Sequence, residues 1–345
     1  MARILYVTIA GAGAKNGLAW STAFGEAEFE ADLEGAAHED GDTYYVMSGA
    51  ADGGTPYTLD SSYDAAANDG TATLPVSIIG VKFGTNHDDS VPVLADWGSG
   101  LDRPVFACGA SYYVGLGDYY KIFNCVFTGA STTLLNMGAQ NVAYNCKATN
   151  SRAATATATA FSGTSSTCIS CEGIGGDSTH GYAFYVPRMI FCYAHDCNWG
   201  VDTVAGGTYL FNIFDTATIG ISVASDDVLT IFGNTIYNCV TSISATDSYS
   251  THSINNIIDT STDAFVWTTQ TDINMYMYNH RGNSVTDMYD TANNKISSTI
   301  PHTDNWVTGG AGEDPDFTNE ADGDFSLEAT SPCIDAGMAM VLGVG

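Results

Sequence analysis

The feature that most restricts the fold of this chain is a short repeat. Lining up YKIFNCVF, NVAYNCKA, STCISCEG, RMIFCYAH, TYLFNIFD, TIFGNTIY and HSINNIID puts Cys125, Cys146, Cys171, Cys192, Ile213, Thr235 and Ile257 in one column, with spacings of 21, 25, 21, 21, 22 and 22 residues. Tyr278-Asn279-His280 follows about one period later. A thiol beside a carboxamide that served chemistry would occur once. A fixed period this short, in a segment rich in β-branched and aromatic residues, marks a solenoid. A second column runs beside the first, through Val201, Ile221, Ile243 and Phe265. Two registered strands per coil of ~21–22 residues, with Gly, Asp, Thr and Ser between them, describe an all-β parallel β-helix. The hand expected of a parallel crossover is right.

Stacked coils place like on like at the interstrand spacing of about 4.8 Å. The expected internal ladder holds Asn124, Cys125, Asn145, Cys146, Cys171, Cys192, Asn212, Asn234 and Asn256, with the thiols as small buried hydrophobes and the amides bonding at a bend. Nine cysteines is an odd number, and most lie in apolar strand-like stretches, which argues against a disulfide framework. Cys168 and Cys171 form a CxxC, but no second pair follows at zinc-ribbon spacing.

The ends of a β-helix expose strand edges and need caps. In TAFGEAEFEADLEGAAHEDGD (22–42), Phe24, Phe29, Leu33 and Ala36 recur at helical spacing, so an N-terminal capping helix is expected to plug the core. Strands are expected on either side of it, in ILYVTIA, TYYVMSGA and VSIIGVKFG. The resulting division is 1–100 for the cap and first coils, 101–290 for the regular β-helix, and 291–345 for a C-terminal coil or cap ending in the apolar tail MAMVLGVG. That tail suits either a last cap strand or a docking peptide.

Charge limits the partners. With 10 Lys+Arg against 39 Asp+Glu, the net charge of −29 repels phosphate backbones and anionic membrane surfaces, so neither nucleic acid nor membrane is an expected partner. MARILYVTIAGAGAKNG alternates like a strand and lacks the apolar core of a Sec signal peptide.

The opening YVTIAGAGAKNGLAWSTAF with GDTYYVMSGA, the Asn-Cys coils, and the closing DPDFTNEADGDFSLEATSPCIDAG resemble the right-handed parallel β-helix proteins of the pectin-lyase-like superfamily. The resemblance covers nearly the whole chain. It implies a group that includes polysaccharide lyases, glycosidases, phage tailspikes and adhesins, so function has to come from the residues.

A polysaccharide lyase needs a cation beside the uronate carboxylate and a base for the adjacent proton. Five Arg and five Lys are scattered along the chain, and only Arg188, near His180 and His195 by coil arithmetic, is expected to join a cluster. Glu172, Asp177, Asp196 and Asp202 fall within the same two coils, and His180 lies one period from Asp202. No Gly-His-Gly turn or Asp-rich calcium strand of the superfamily's enzymes can be matched. Asp322 and Asp324 in NEADGDF are the candidate Ca2+ ligands, with an Asp-Gly turn as the plainer explanation. No other cofactor is implied. Tyr193, Trp199, Trp267, Tyr276 and Tyr278 are candidate sugar-stacking rings, with buried aromatic columns as the alternative. The leading expectation is a non-catalytic structural or glycan-facing virion protein, a head fibre, decoration or tailspike module, released without export and assembled as a homotrimer with other virion proteins. A polysaccharide depolymerase is the alternative, and a cell-surface adhesin or filament subunit the third.

Overall fold

The structure, a computed structural model, describes residues 2–35, 38–49, 55–65, 69–84, 91–98, 102–152, 157–176, 181–203, 206–223, 228–245, 250–267, 275–277, 279–281, 286–290 and 314–334. It is a right-handed parallel β-solenoid with coils of about 22 residues. The chain divides into two compact units, Met1–Val186 and Pro187–Gly345.

In the first unit each coil after the first, which carries the capping helix, supplies three strands. One ladder stacks Ile4–Val7, Thr43–Met47, Val76–Val81, Tyr120–Phe123, Val142–Tyr144 and Thr167–Ile169, all parallel. A second runs from Val105–Ala107 through Val126–Gly129 and Lys147–Asn150 to Glu172–Ile174, and a third from Tyr63–Ala65 through Val114–Leu116, Thr133–Met137 and Ala158–Ser162 to Gly181–Tyr185. The interior is close-packed with rings in register: Phe161 and Phe184 stack with centroids 4.9 Å apart.

The expected plug is present but shorter than the sequence pattern suggests. The helix covers Glu26–Glu34 and buries Phe29 and Leu33 against Tyr44 and Tyr63. Its start is set by Glu28, whose carboxylate accepts the Gly25 N–H at 3.0 Å, and by Glu26 and Glu28 in the first turn, where the helix dipole favours negative charge. Phe24 falls outside the helix because its backbone bridges Val7, with Phe24 N–H donating to Tyr6 and Thr8 N–H donating back. Ala36 lies outside the described residues.

In the second unit, Arg188–Ile190, Thr208–Leu210, Val228–Phe232, Ser250–Ile254 and Met275–Met277 form one parallel ladder. The facing strands begin with the 11-residue Tyr193–Thr203 and Ile213–Val223. The column through Val201, Ile221, Ile243 and Phe265 stands in register and is fully buried, as its spacing predicts.

The Asn-Cys ladder needs one correction. Cys125, Cys146 and Cys171 do share a column in the first unit. In the second unit, Tyr193 pairs with Ile213, so Cys192 stacks on Asn212 and not on Ile213. The inward column there is Cys192, Asn212, Asn234, Asn256 and Asn279, one position after the site of Asn124 and Asn145. Asn124 and Asn145 sit in the left-handed bend itself, at φ 57° and 51°. Asn suits both places, since it tolerates left-handed backbone and its amide can close a turn. One expected ladder is therefore two. Eight of the nine cysteines are buried, Cys333 is partly exposed, and none forms a disulfide.

Candidate functional site

The residues singled out for catalysis are only partly brought together. Tyr193 and His195 are outward positions of Tyr193–Thr203, and their rings stack at 4.3 Å. The Tyr193 hydroxyl donates to Asp215 at 3.2 Å, and His195 Nδ1 lies 2.9 Å from Asp196 Oδ2. Register places His195, Asp215, Tyr237 and Asp259 in one outward row. Arg188 projects from a different strand row, exposed, on the far side of the bend at Phe191. His180 and Asp177 lie outside the described residues. Glu172 is ion-paired to Lys147 at 2.7 Å, and Asp202 registers with Ser222.

The closing motif does not add another coil. Phe317–Asn319 and Asp324–Leu327 pair antiparallel and fold back on this row, with Phe317 and Phe325 packing on Tyr237 at 6.2 and 5.3 Å. Burial, then the charges of Glu320, Asp259 and Asp215, raise the Tyr237 pKa. Gly323, at φ +76°, forms the turn of the hairpin beside the Tyr193 hydroxyl. Asp322 accepts from Asn319 at 2.6 Å, while Asp324 accepts from the Ser326 hydroxyl and N–H, which lowers its pKa. Both carboxylates are thus used in closing the turn. Among the described residues no group of three or more His, Cys, Asp or Glu is placed to hold a metal ion.

Among the described residues Arg3 is a cation held by two carboxylates. Its guanidinium spans Asp42 and Asp32, with Nη1 and Nη2 at 3.0 and 2.9 Å from the Asp32 oxygens and Nε at 3.0 Å from Asp42. Asp42 is fully buried. Tyr44 donates to Asp32 at 2.8 Å, and His38 stands between the hydroxyls of Tyr44 and Tyr120. Burial lowers the His38 pKa. Burial also works against the Arg3 charge, but the hydrogen bonds it donates to Asp42 and Asp32 outweigh it and raise its pKa. Nothing local in the sequence signals this group, because its members are 29 and 39 residues apart. It ties the first strand to the capping helix and the second coil.

The described aromatic surface differs from the one expected. Tyr193 is half-buried beneath the hairpin, and Trp199 is half-buried beside Ile219. Trp267 and Tyr276 lie in strands, but their side chains, like all of Tyr278, are outside the described residues. Among the described residues of the second unit the exposed rings are Phe191 and Phe211, 60% and 40% exposed, stacked at 5.3 Å and 14°, with Phe232 edge-on to Phe211 at 5.4 Å. Both Phe191 and Phe211 occupy the left-handed bend, at φ 54° and 56°. In the first unit Trp97, Phe123 and Tyr144 form a similar run, at 5.3 and 6.1 Å, of which Tyr144 is exposed. That run continues the outward row of Tyr6, Tyr45 and Ile79, which the chain itself covers with Trp20 and Ala23. The sequence signal for Phe191 and Phe211 is their position directly before the inward column, where other coils carry Asn, Ser or Gly.

No family model matches the chain, and a search of curated proteins finds no match. Among solved structures it is similar to pectate lyase Pel9A, with 14% identity, a TM-score of 0.54, and coverage of 99% of this chain and 92% of that one. A lacto-N-biosidase of family GH136 from Eubacterium ramulus aligns at 11% identity and a TM-score of 0.44 over 90% of this chain and 67% of that one. The first likeness shows the pectin-lyase-like parallel β-helix fold expected from the coil motifs.

Proposed function

We propose that this pectin-lyase-like parallel β-helix is a glycan-facing structural protein of a virion, a head fibre, decoration or tailspike module that holds polysaccharide on its lateral surface. The observation that carries the reading is the solvent-exposed ring row Phe191–Phe211, with Phe232 beside it, held in register by the coil repeat. Flat rings at fixed spacing on a rigid ladder offer the C–H faces of sugars a preformed surface. The buried amide ladder gives the stiffness a virion appendage needs. The −29 charge turns the chain away from nucleic acid and anionic membrane. A homotrimer, with flat faces packed about a threefold axis, belongs to the same proposal.

The pieces a lyase needs support this reading less well as a catalyst: Arg188 and His195 lie on different outward rows, and His195 is engaged by Asp196 and Tyr193. A depolymerase remains the second reading, favoured by the Tyr193–His195–Asp215 contacts. The test is incubation of the full chain with neutral and acidic polysaccharides, read by retention on the polymer, reducing ends and unsaturated-uronate absorbance, with immunodetection in purified virions of its source. Retention without products, and presence in virions, is expected. Product release that disappears in His195→Ala would replace this reading with the depolymerase.

A further inference from the structure

We propose that the bend row of the second unit, centred on Phe191 and Phe211, is a binding site for an uncharged hexopyranose polymer. The inference rests on the glycan-facing reading and adds the site and the ligand class.

The first argument is backbone strain. In this unit the residue before the inward column adopts left-handed backbone in four successive coils: Phe191, Phe211, Gly233 and Asn255, at φ 54°, 56°, 66° and 56°. Glycine and asparagine take that conformation at little cost, whereas a bulky residue is a genuine outlier there. At the corresponding bends of the first unit the chain uses smaller polar residues, Asn124, Asn145 and Ser170. Two phenylalanines in succession therefore give up stability, and their exposure gives up burial as well. The Phe191–Phe211 stack and the Phe232 edge contact recover part of this, and the ring area left exposed suits a surface kept for a ligand.

The second argument is how the rings are accommodated. A Cβ on Gly233 would come within 2.6 Å of Phe211 Cδ1, so the absence of a side chain at Gly233 lets the Phe211 ring lie over the next coil. Phe232 then meets that ring edge-on.

The third argument is what lies alongside. The outward row three residues back, beyond the apolar row of Ile190, Leu210, Phe232 and Ile254, is Arg188, Thr208, Thr230 and His252, in register across four coils. Hydrogen-bonding groups repeat along the axis at about 4.8 Å, parallel to the rings. A sugar stacked by its C–H face on the rings would turn its hydroxyls toward this row. No carboxylate stands in either row, and Arg188 is the sole permanent cation of the two. On a chain of net charge −29 one guanidinium does not attract a polyuronate, so a neutral polymer fits the surface better.

The experiment measures affinity of the full chain, by affinity electrophoresis and titration calorimetry, for neutral polymers (a β-glucan, a galactomannan) and for polygalacturonate and alginate at low and high salt. Melting temperature and oligomeric mass are recorded for the wild type, Phe211→Ala and Phe211→Asn. Binding to a neutral polymer, insensitive to salt and weakened about tenfold by either substitution, is expected. Phe211→Asn should also raise the melting temperature by roughly 2–4 °C, because Asn relieves the left-handed strain. Salt-sensitive binding to the anionic polymers alone, lost in Arg188→Ala, would refute the neutral ligand and leave the glycan-facing reading standing. Binding unaffected at Phe211 would place the glycan elsewhere, and a fall in melting temperature for Phe211→Asn would make the ring structural. Dissociation of an oligomer by Phe211→Asn, without loss of a glycan, would make the row an interface between copies. Failure to bind any polymer would overturn the broader reading.

Discussion

Truncating one rung of the amide ladder, Asn234→Ala, tests the energetics of the second unit. Asn234 is buried, and its amide Nδ2 donates to the Tyr209 carbonyl at 2.9 Å and to Asn256 Oδ1 at 3.0 Å. Its Oδ1 accepts from Asn212 N–H at 2.8 Å and from Asn212 Nδ2 at 3.0 Å. Truncation removes all four bonds. Asn212 Nδ2 keeps the Met189 carbonyl and Asn256 Oδ1 keeps the Asn234 N–H, but the Asn212 backbone N–H loses its Asn234 Oδ1 partner in the core. An orphaned buried donor costs about 1–3 kcal/mol and each further lost bond about 0.5–1.5, so the loss is roughly 3–5 kcal/mol. The matched control is Cys146→Ala in the first unit. Its thiol lies 3.5 Å from the Tyr144 carbonyl and 3.7 Å from that of Ile122, with Cys171 as a further weak partner, so removing it costs about 1 kcal/mol of packing. By calorimetry Asn234→Ala should lower the melting temperature by about 10 °C and Cys146→Ala by about 3 °C. The double variant Asn212→Ala/Asn234→Ala should fall short of additivity, because the pair shares two bonds. Equal losses for Asn234→Ala and Cys146→Ala would refute the ladder as a source of stability.

Other outcomes follow from the same contacts. Asp42→Ala leaves Arg3 facing Asp32 alone at a buried site and should cost about 3–5 kcal/mol, read as early protease cleavage near the N-terminus. Burial pushes the Cys108 and Cys239 thiols up to about 12, from an unfolded value near 9. These groups stay protonated when folded but ionise when unfolded, so their stabilisation is complete below about pH 9. It is lost as the pH climbs toward 12, by about 1.4 kcal/mol per unit for each, measured by denaturant melts from pH 8 to 11. At pH 8 the native protein should expose no thiol beyond Cys333 to a disulfide reagent, and all nine should react after denaturation. Tyr237→Ala should release the C-terminal hairpin, which packs on that ring through Phe317 and Phe325, seen as faster amide exchange across Phe317–Leu327.

The coil architecture was legible because its signals are periodic. Like residues stack, so Val201, Ile221, Ile243 and Phe265 could be placed from spacing alone, as could Cys125, Cys146 and Cys171. The single-residue offset between Asn145 and Asn212 was not legible. One amide occupies a left-handed bend and the other the inward position after it, and asparagine suits both. Phe191 and Phe211 escaped notice for the opposite reason: nothing in phenylalanine's preferences marks a left-handed bend. Arg3 reads as one scattered cation, and only the fold brings it to Asp32 and Asp42. The return of the closing motif onto Tyr237 is a tertiary contact with no local period.

The central claim is that the second unit presents a glycan to the rings of its bend row. The most direct measurement is an experimental structure of the full chain with a bound neutral oligosaccharide. The account predicts sugar density stacked on Phe191 and Phe211 with hydroxyls toward Thr208 and Thr230. Intact sugar elsewhere, or a cleaved product held by Tyr193, His195 and Asp215, would contradict it.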